Sequence, residues 1–246
     1  MMSVALEIQS SVNCLWEKFV TNMYHNAGGL YRPEFERDNC GFGLIAQMDG
    51  KPSHWLVSTA ISALARLTHR GAVAADGKTG DGCGLLMAMP EAFMRSAATE
   101  QGYELSKRFA TGLVFLSHDK QQQEFAQSTL DSEIIAEGLT VAGWRTLPTD
   151  ESALGEQAKD SVPLIRQVFV NVDNSTEQND FERKLFLARR RAEKKILEQD
   201  ENFYIPSLSS KVILYKGLVM PEYLPCLLYT SPSPRDLSTS RMPSSA

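Results

Sequence analysis

Apolar and polar positions alternate along the middle of the chain with two periods, and the switches between them mark out its elements. Gly41–Met48 (GFGLIAQM) is an apolar run with the length of a strand. Ser53 offers an N-cap hydroxyl, and Leu56, Ala60, Ala63, Leu64 and Leu67 follow at helical spacing. That helix is expected to close at Gly71, where a left-handed C-terminal residue belongs. A glycine-rich turn from Gly77 to Gly84 leads into a strand at Leu85–Met89, and Pro90 with Glu91 suits the first turn of a helix reaching Thr99. Thr111–Leu116 reads as a strand and Lys120–Glu137 as a polar, surface-type helix. Strands follow at Thr140–Trp144 and Ile165–Val172, separated by an irregular Pro/Asp/Glu stretch. Phe181–Gln199 is a long helix, and Phe203–Leu208 and Val212–Val219 are two strands close enough to form a hairpin. No internal repeat is visible. Helices and strands each carry one apolar face, so layered packing of α and β elements follows. The alternation leaves open whether the strands run parallel or antiparallel.

The two ends differ from this middle. Residues 1–39 are read as a leader. They have no basic start, and Glu7, Asn13, Glu17 and Lys18 interrupt what a secretory signal would keep apolar. Met23 offers a second start, so 1–22 is read as over-called coding sequence. From Tyr229 to Ala246, 6 of 18 residues are Ser and 3 are Pro, which marks a disordered tail. The run LLYTSPSPRDLSTSRMPSSA also resembles translated adapter sequence, and 226–246 is expected to be foreign to the natural chain.

At 246 residues, with 22% charged and 43% hydrophobic, the composition is that of a globular cytoplasmic protein, and no apolar run suggests a membrane span. Lys+Arg 25 against Asp+Glu 30 gives a net charge of −5, which disfavours nucleic acid and anionic membrane as partners. One helix runs against that balance. Glu182–Lys195 holds seven basic residues (Arg183, Lys184, Arg189, Arg190, Arg191, Lys194, Lys195) and two acidic ones. With an apolar stripe of Phe181, Leu185, Ala188, Ala192 and Ile196 and no aromatic platform beside it, this reads as a solvated face. Cys14, Cys40, Cys83 and Cys226 lie far apart, without the spacing of a zinc ribbon, a thioredoxin motif or a disulfide scaffold, and no metal site is expected.

Ala72–Thr79 fits the loose form of a phosphate-binding loop. That loop needs a strand before it and a helix directly after, because the helix's unpaired N–H groups bind the phosphates. Here a helix precedes the run, and Gly80-Asp81-Gly82-Cys83-Gly84 and a strand follow. A turn is the better reading.

Among the cysteines, Cys40 is the candidate nucleophile. It follows a polar stretch, Glu36-Arg37-Asp38-Asn39, and opens the first predicted strand, with Gly41 and Gly43 keeping the nearby backbone bare. Cleavage after Asn39 would place a thiol and an α-amine on one residue. An amine titrating near 8 is a competent base at neutral pH. The alternative for any cysteine opening a strand is a small buried hydrophobe.

Arg37-Asp38-Asn39-Cys40-Gly41-Phe42-Gly43-Leu44-Ile45-Ala46, Thr68-His69-Arg70-Gly71-Ala72 and the Asp76–Leu85 block occur in that order. Further on come Phe181–Arg191, Tyr204…Ser207-Leu208-Ser209 and Tyr215-Lys216-Gly217-Leu218. Together they resemble the amino-terminal region of the glutamate synthase large-subunit family, from about Arg37 to about Pro225. The resemblance implies a class II glutamine amidotransferase domain of α+β class. Its fold would be the N-terminal-nucleophile hydrolase type, an αββα four-layer sandwich with two antiparallel sheets. Residues 40–225 would be the first part of that domain, incomplete on its C-terminal side. Cys40 would attack the glutamine side-chain amide, releasing ammonia for transfer to 2-oxoglutarate in the complete enzyme. Arg70 is carried over as a substrate-binding residue; its alternative is a last-turn cation stabilising its own helix. Asp81 reads as part of a structural turn and Cys83 as core.

The family's carboxylate-gripping Arg and its Asn-Gly oxyanion pair fall beyond the resembling stretch. FMN and an iron–sulfur cluster are implied for the complete enzyme and not for these residues. Its partners would be the remainder of the large subunit and a small electron-donating subunit. Two rival readings are a non-catalytic interaction module that keeps the front of the fold, and a different N-terminal-nucleophile amide hydrolase, which the Asp76–Leu85 block disfavours.

Overall fold

The structure, a computed structural model, describes residues 41–224 apart from 52, 68–72, 81, 148, 150, 160, 218 and 219. In chain order the elements are α1 (His54–Ala65), β1 (Cys83–Ala88), α2 (Glu91–Glu100), β2 (Phe109–Leu116), α3 (Lys120–Ala136) and β3 (Thr140–Thr146). A short helix α4 (Glu156–Lys159), β4 (Leu164–Asn171), α5 (Gln178–Ile196), β5 (Leu208–Ser209) and β6 (Val212–Gly217) follow. Single 3-10 turns lie at Glu151–Ala153 and Pro221–Tyr223. The class is mixed α+β, and every pairing between these strands is antiparallel.

Four strands form one sheet in the order β3-β4-β2-β5, and β1 and β6 form a two-stranded ribbon. Alternation along β2 and β4 sorts their side chains between two cores. Ala110, Val114, Leu116, Val168 and Val170 join a cluster with Leu130 and Ile134 of α3 and Phe181, Leu185 and Ile196 of α5. Phe109, Leu113, Ile165 and Phe169 point the other way, into a cluster with Met94 of α2 and Ile213 and Tyr215 of β6. Strand β3 keeps this sorting only through a bulge. Val141 pairs with Val170 and Gly143 with Phe169, so Ala142 is the extra residue. Val141 and Trp144, three apart, therefore serve the same cluster while Ala142 serves the other.

Helix ends and close approaches follow from local chemistry. The Ser53 hydroxyl accepts from the Leu56 N–H at 3.2 Å, as an N-cap should. The Asp119 carboxylate does the same for α3, accepting from the Gln122 N–H at 2.9 Å. Gly143 lies beneath the Tyr103 ring, where a β-carbon would collide, while the Tyr103 hydroxyl donates to the Trp144 carbonyl at 2.8 Å. Arg95 donates to the Leu105, Ser106 and Lys107 carbonyls and stacks on Phe109, fixing the entry to β2.

Helix α5 carries its predicted stripe inward: Phe181, Leu185, Ala188, Ala192 and Ile196 are all fully buried. Its basic face is laced with ion pairs. Arg189 and Arg190 share Glu193, Lys195 meets Glu133 at 2.5 Å, Arg191 pairs with Glu137, and Arg183 and Lys184 share Asp180. Six of the seven basic residues of the run are paired with this protein's own carboxylates, which supports the solvated-face reading.

Three expectations are corrected. Gly41–Met48 forms no strand: it has no regular hydrogen bonding, and Phe42 (93%), Leu44 (88%) and Met48 (99%) stand exposed. Its apolar residues give it a strand's pattern, but no strand among the described residues pairs with it. The first helix ends at Ala65, capped by Arg66, well before Gly71, which lies outside the described residues. The two final strands make no hairpin. Of Phe203–Leu208 only a bridge from Tyr204 to Phe115 and the short β5 pair at all, because Pro206 has no N–H to offer. β5 then joins β2 whereas β6 crosses to β1. The proposed leader (1–39) and tail (226–246) lie outside the described residues.

A buried polar relay crosses the four-stranded sheet. Arg145 donates through Nε to the Gln167 side-chain Oε1 at 2.7 Å, the Gln167 amide Nε2 donates to the Thr111 hydroxyl at 2.8 Å, and Thr111 donates to the Val168 main-chain carbonyl at 2.8 Å. Burial pulls the Arg145 guanidinium below its ordinary value, with the nearby Tyr215 and Glu100 opposing that pull. Gln167→Leu strips this cation of its amide partner and leaves Thr111 half-satisfied, so it should cost about 3 kcal/mol. The urea midpoint reads that loss, and an unchanged midpoint would show that the relay contributes nothing.

Candidate functional site

The two residues singled out for chemistry, Cys40 and Arg70, lie outside the described residues, as does Asp81. The structure shows what borders them. Downstream of Cys40 runs the exposed Gly41–Met48 segment, whose Gln47 accepts from the Ser53 hydroxyl at 3.0 Å. Downstream of Arg70 comes a tight turn built on Asp76. Its carboxylate accepts from the Lys78 N–H at 3.0 Å, the Thr79 N–H at 2.8 Å and the Thr79 hydroxyl at 2.6 Å. Gly77 takes a φ of 69° there, in the left-handed region that glycine tolerates. Val73 and Gly80 close the turn with a bridge, and β1 follows, not a helix. Lys78 and Thr79 thus sit where no helix N-terminus could present N–H groups to a phosphate, and the turn reading stands.

Beyond that turn, β1 and β6 border a cavity of about 1040 Å³. Leu116, Ile165, Leu154 and Leu214 give it apolar walls; His118, Asn202, Tyr204 and Lys216 supply polar groups at its margin. Lys216 Nζ lies 4.5 Å from the centre of the Tyr204 ring, a cation–π contact, and Tyr204 in turn packs on Phe115. His118 Nε2 lies 2.8 Å from the Val162 carbonyl. Cys83 also lines the cavity, and burial pushes its thiol up to about 11. A thiol so protonated at neutral pH is a poor nucleophile. Cys83 is half-buried against the second core cluster, in line with its packing role. His118 and Asn202 escaped sequence reasoning because each is a single polar residue in a loop, with no spacing to mark it. Among the described residues no three His, Cys, Asp or Glu side chains converge as metal ligands, and no helix is long and apolar enough to cross a membrane.

Residues 40–243 match the family described as glutamine amidotransferases class-II, and the chain belongs to that family. Its relatives are the N-terminal parts of glutamate synthase large chains. The glutamate synthase [NADPH] large chain of Bacillus subtilis is 40% identical over 202 residues, 82% of this chain and 13% of that protein. That of Azospirillum brasilense is 40% identical over 216 residues, 85% of this chain and 14% of its own length. The ferredoxin-dependent glutamate synthase 2 of Synechocystis is 37% identical over 186 residues, covering 75% of this chain and 12% of the relative. The chain thus spans about an eighth of the length of the curated relatives it matches.

The buried Cys83 thiol carries a pH consequence. Its folded value lies above its value of about 9 in open chain. The folded form holds the proton longer, so the stabilisation is complete below pH 9 and is lost as pH rises towards 11. The urea midpoint should fall across that window, and Cys83→Ala should flatten part of the fall; equal slopes in the two proteins would refute the assignment.

Proposed function

We propose that this chain is the front of the glutaminase domain of a glutamate synthase large subunit, with Cys40 as its nucleophile. The observation that carries this reading is that the family match begins at Cys40 itself. In the reading, cleavage after Asn39 frees the Cys40 α-amine, which takes the thiol proton directly or through water. The sulfur then attacks the glutamine side-chain carbonyl carbon. As the S–C bond forms the C–N bond breaks, and the proton held by the amine leaves with ammonia. Water hydrolyses the γ-glutamyl thioester to glutamate and restores the thiol. Arg70 is assigned to the substrate.

The described sheets and helices would belong to the four-layer αββα fold implied by the family. FMN and an iron–sulfur cluster are assigned to parts of the longer enzyme, where ammonia meets 2-oxoglutarate, and no step at Cys40 passes through either. Relatives named for NADPH and for ferredoxin both match, so the electron donor is left unassigned.

The decisive test replaces the matching segment of the Bacillus subtilis large chain with residues 40–217 of this protein. The chimera should make glutamate from glutamine. Cys40→Ala within it should abolish that activity while leaving synthesis from free ammonia intact. A chimera that uses ammonia but not glutamine, with Cys40 in place, would overturn the reading in favour of a non-catalytic interaction module.

A further inference from the structure

No step of the glutaminase reading uses the 1040 Å³ cavity, and its lining is of two kinds. Leu154, Val162, Ile165 and Leu214 make apolar walls, while Ser117, His118, Asn202 and Lys216 bring polar groups to it. The frame is bonded in place before any ligand arrives. Phe115 and Tyr204 exchange backbone hydrogen bonds, Phe115 N–H to the Tyr204 carbonyl at 2.9 Å and Tyr204 N–H to the Phe115 carbonyl at 3.3 Å. His118 Nε2 and the Val162 carbonyl close a second bridge at 2.8 Å; a carbonyl only accepts, so Nε2 carries the hydrogen. Small-molecule sites are largely pre-formed, mostly apolar and about 300–1,000 Å³ in volume, with a few polar groups that fix orientation. This cavity has that build.

The charge at the cavity is one-sided. The chain carries a net charge of −5, yet none of the described residues lining the cavity is acidic, and Lys216 is among them. Six cations of α5 meet carboxylates of this protein. Lys216 meets a ring instead: its Nζ lies 4.5 Å from the centre of Tyr204, and among the described residues no carboxylate pairs with it. A ring face attracts an ammonium without neutralising it. Gly84, opposite Lys216 across the ribbon, has no side chain to cover it, and a β-carbon there would come within 3.3 Å of the Lys216 β-carbon. Ser117 adds a donor, since its Oγ accepts from the Asp119 N–H at 3.1 Å and keeps its own hydrogen to give.

We propose that this cavity binds a small organic acid: an aliphatic carboxylate whose chain lies against Leu154, Ile165 and Leu214 and whose head is held by Lys216. The Ser117 hydroxyl and the Asn202 amide serve as further donors. The walls select the chain, and the unneutralised ammonium selects the head. A hydrogen bond between ammonium and carboxylate is roughly twice as strong as one between neutral groups. A cationic head would meet Lys216 with like charge. Binding makes and breaks no covalent bond. The site requires nothing of Cys40 or Arg70, and it stands or falls apart from the glutaminase reading.

The probes are decanoate, decan-1-ol and decylammonium, which share one chain and differ only in the head. Each is titrated calorimetrically into the full 246-residue chain at neutral pH. Decanoate should bind about tenfold more tightly than decanol, and decylammonium more weakly than either. Octanoate and hexanoate should each lose about fourfold per methylene removed, since wall contact scales with the chain. Lys216→Met keeps the aliphatic stem and removes the charge, so decanoate should fall to the affinity of decanol while decanol itself is unchanged. Val162→Trp, which fills part of the cavity, should weaken decanoate and decanol alike. Equal affinities of decanoate and decanol for the unaltered chain, tighter binding of decylammonium, or no binding at all would overturn the proposal, whether or not the variants fold. A folded Lys216→Met protein that still prefers decanoate would overturn it equally, as would undiminished binding by folded Val162→Trp.

Discussion

Strands β2 and β4 have water on neither face, and the rest of the molecule is arranged around that requirement. A strand buried on both sides must alternate between two separate cores, and each core needs its own cover. Helices α3 and α5 supply one, through Leu130, Ile134 and the stripe of α5. The ribbon and α2 supply the other, through Ile213, Tyr215 and Met94. Burying a large apolar side chain is worth about 1.5–3 kcal/mol, so the two central strands tie both covers to one frame. The same burial dictates how polar groups behave there. Gln167 and Thr111 lie in the dry interior only because each meets a partner, and Arg145 is accommodated by an amide and the faces of Phe93 and Phe169, with no carboxylate among these contacts.

Periodicity made most elements of the second half of the chain legible. The stripe of α5, the N-cap at Ser53 and the strands around Thr111–Leu116 and Ile165–Val172 needed only local chemistry. The failures share a cause: each depended on a partner that no local pattern names. Gly41–Met48 is an apolar run of a strand's length, yet a strand needs a neighbour. Ser210 and Lys211 between two apolar runs look like a hairpin turn, but Glu182, 28 residues earlier, draws Ser210 to α5. The bulge at Ala142 was invisible because it is defined against β4.

The candidate chemistry was read in a different way. Cys40 could be singled out by its place before a glycine-bordered run, but ordered blocks shared with a family gave it a reaction. His118 and Asn202 at the cavity had neither support. The resemblance and the family match agree on class; the match spans residues 40–243, against about Arg37 to about Pro225 for the resemblance. The four-layer arrangement and the roles of Cys40 and Arg70 rest on the proposal above.

The bulge in β3 has a bearing on how this domain tolerates change in length. Ala142 is one residue out of step, and everything after it in the strand, including Trp144 and Arg145, takes its side of the sheet from that single offset. Removing one residue there would leave a regular strand, locally more ideal than the present one. It would also carry the Trp144 indole away from Asp131, to which it donates at 2.9 Å, and turn Arg145 away from Gln167. At this position regularity and correctness are opposed: the irregular strand delivers each side chain to its proper core, and the regular one would exchange them.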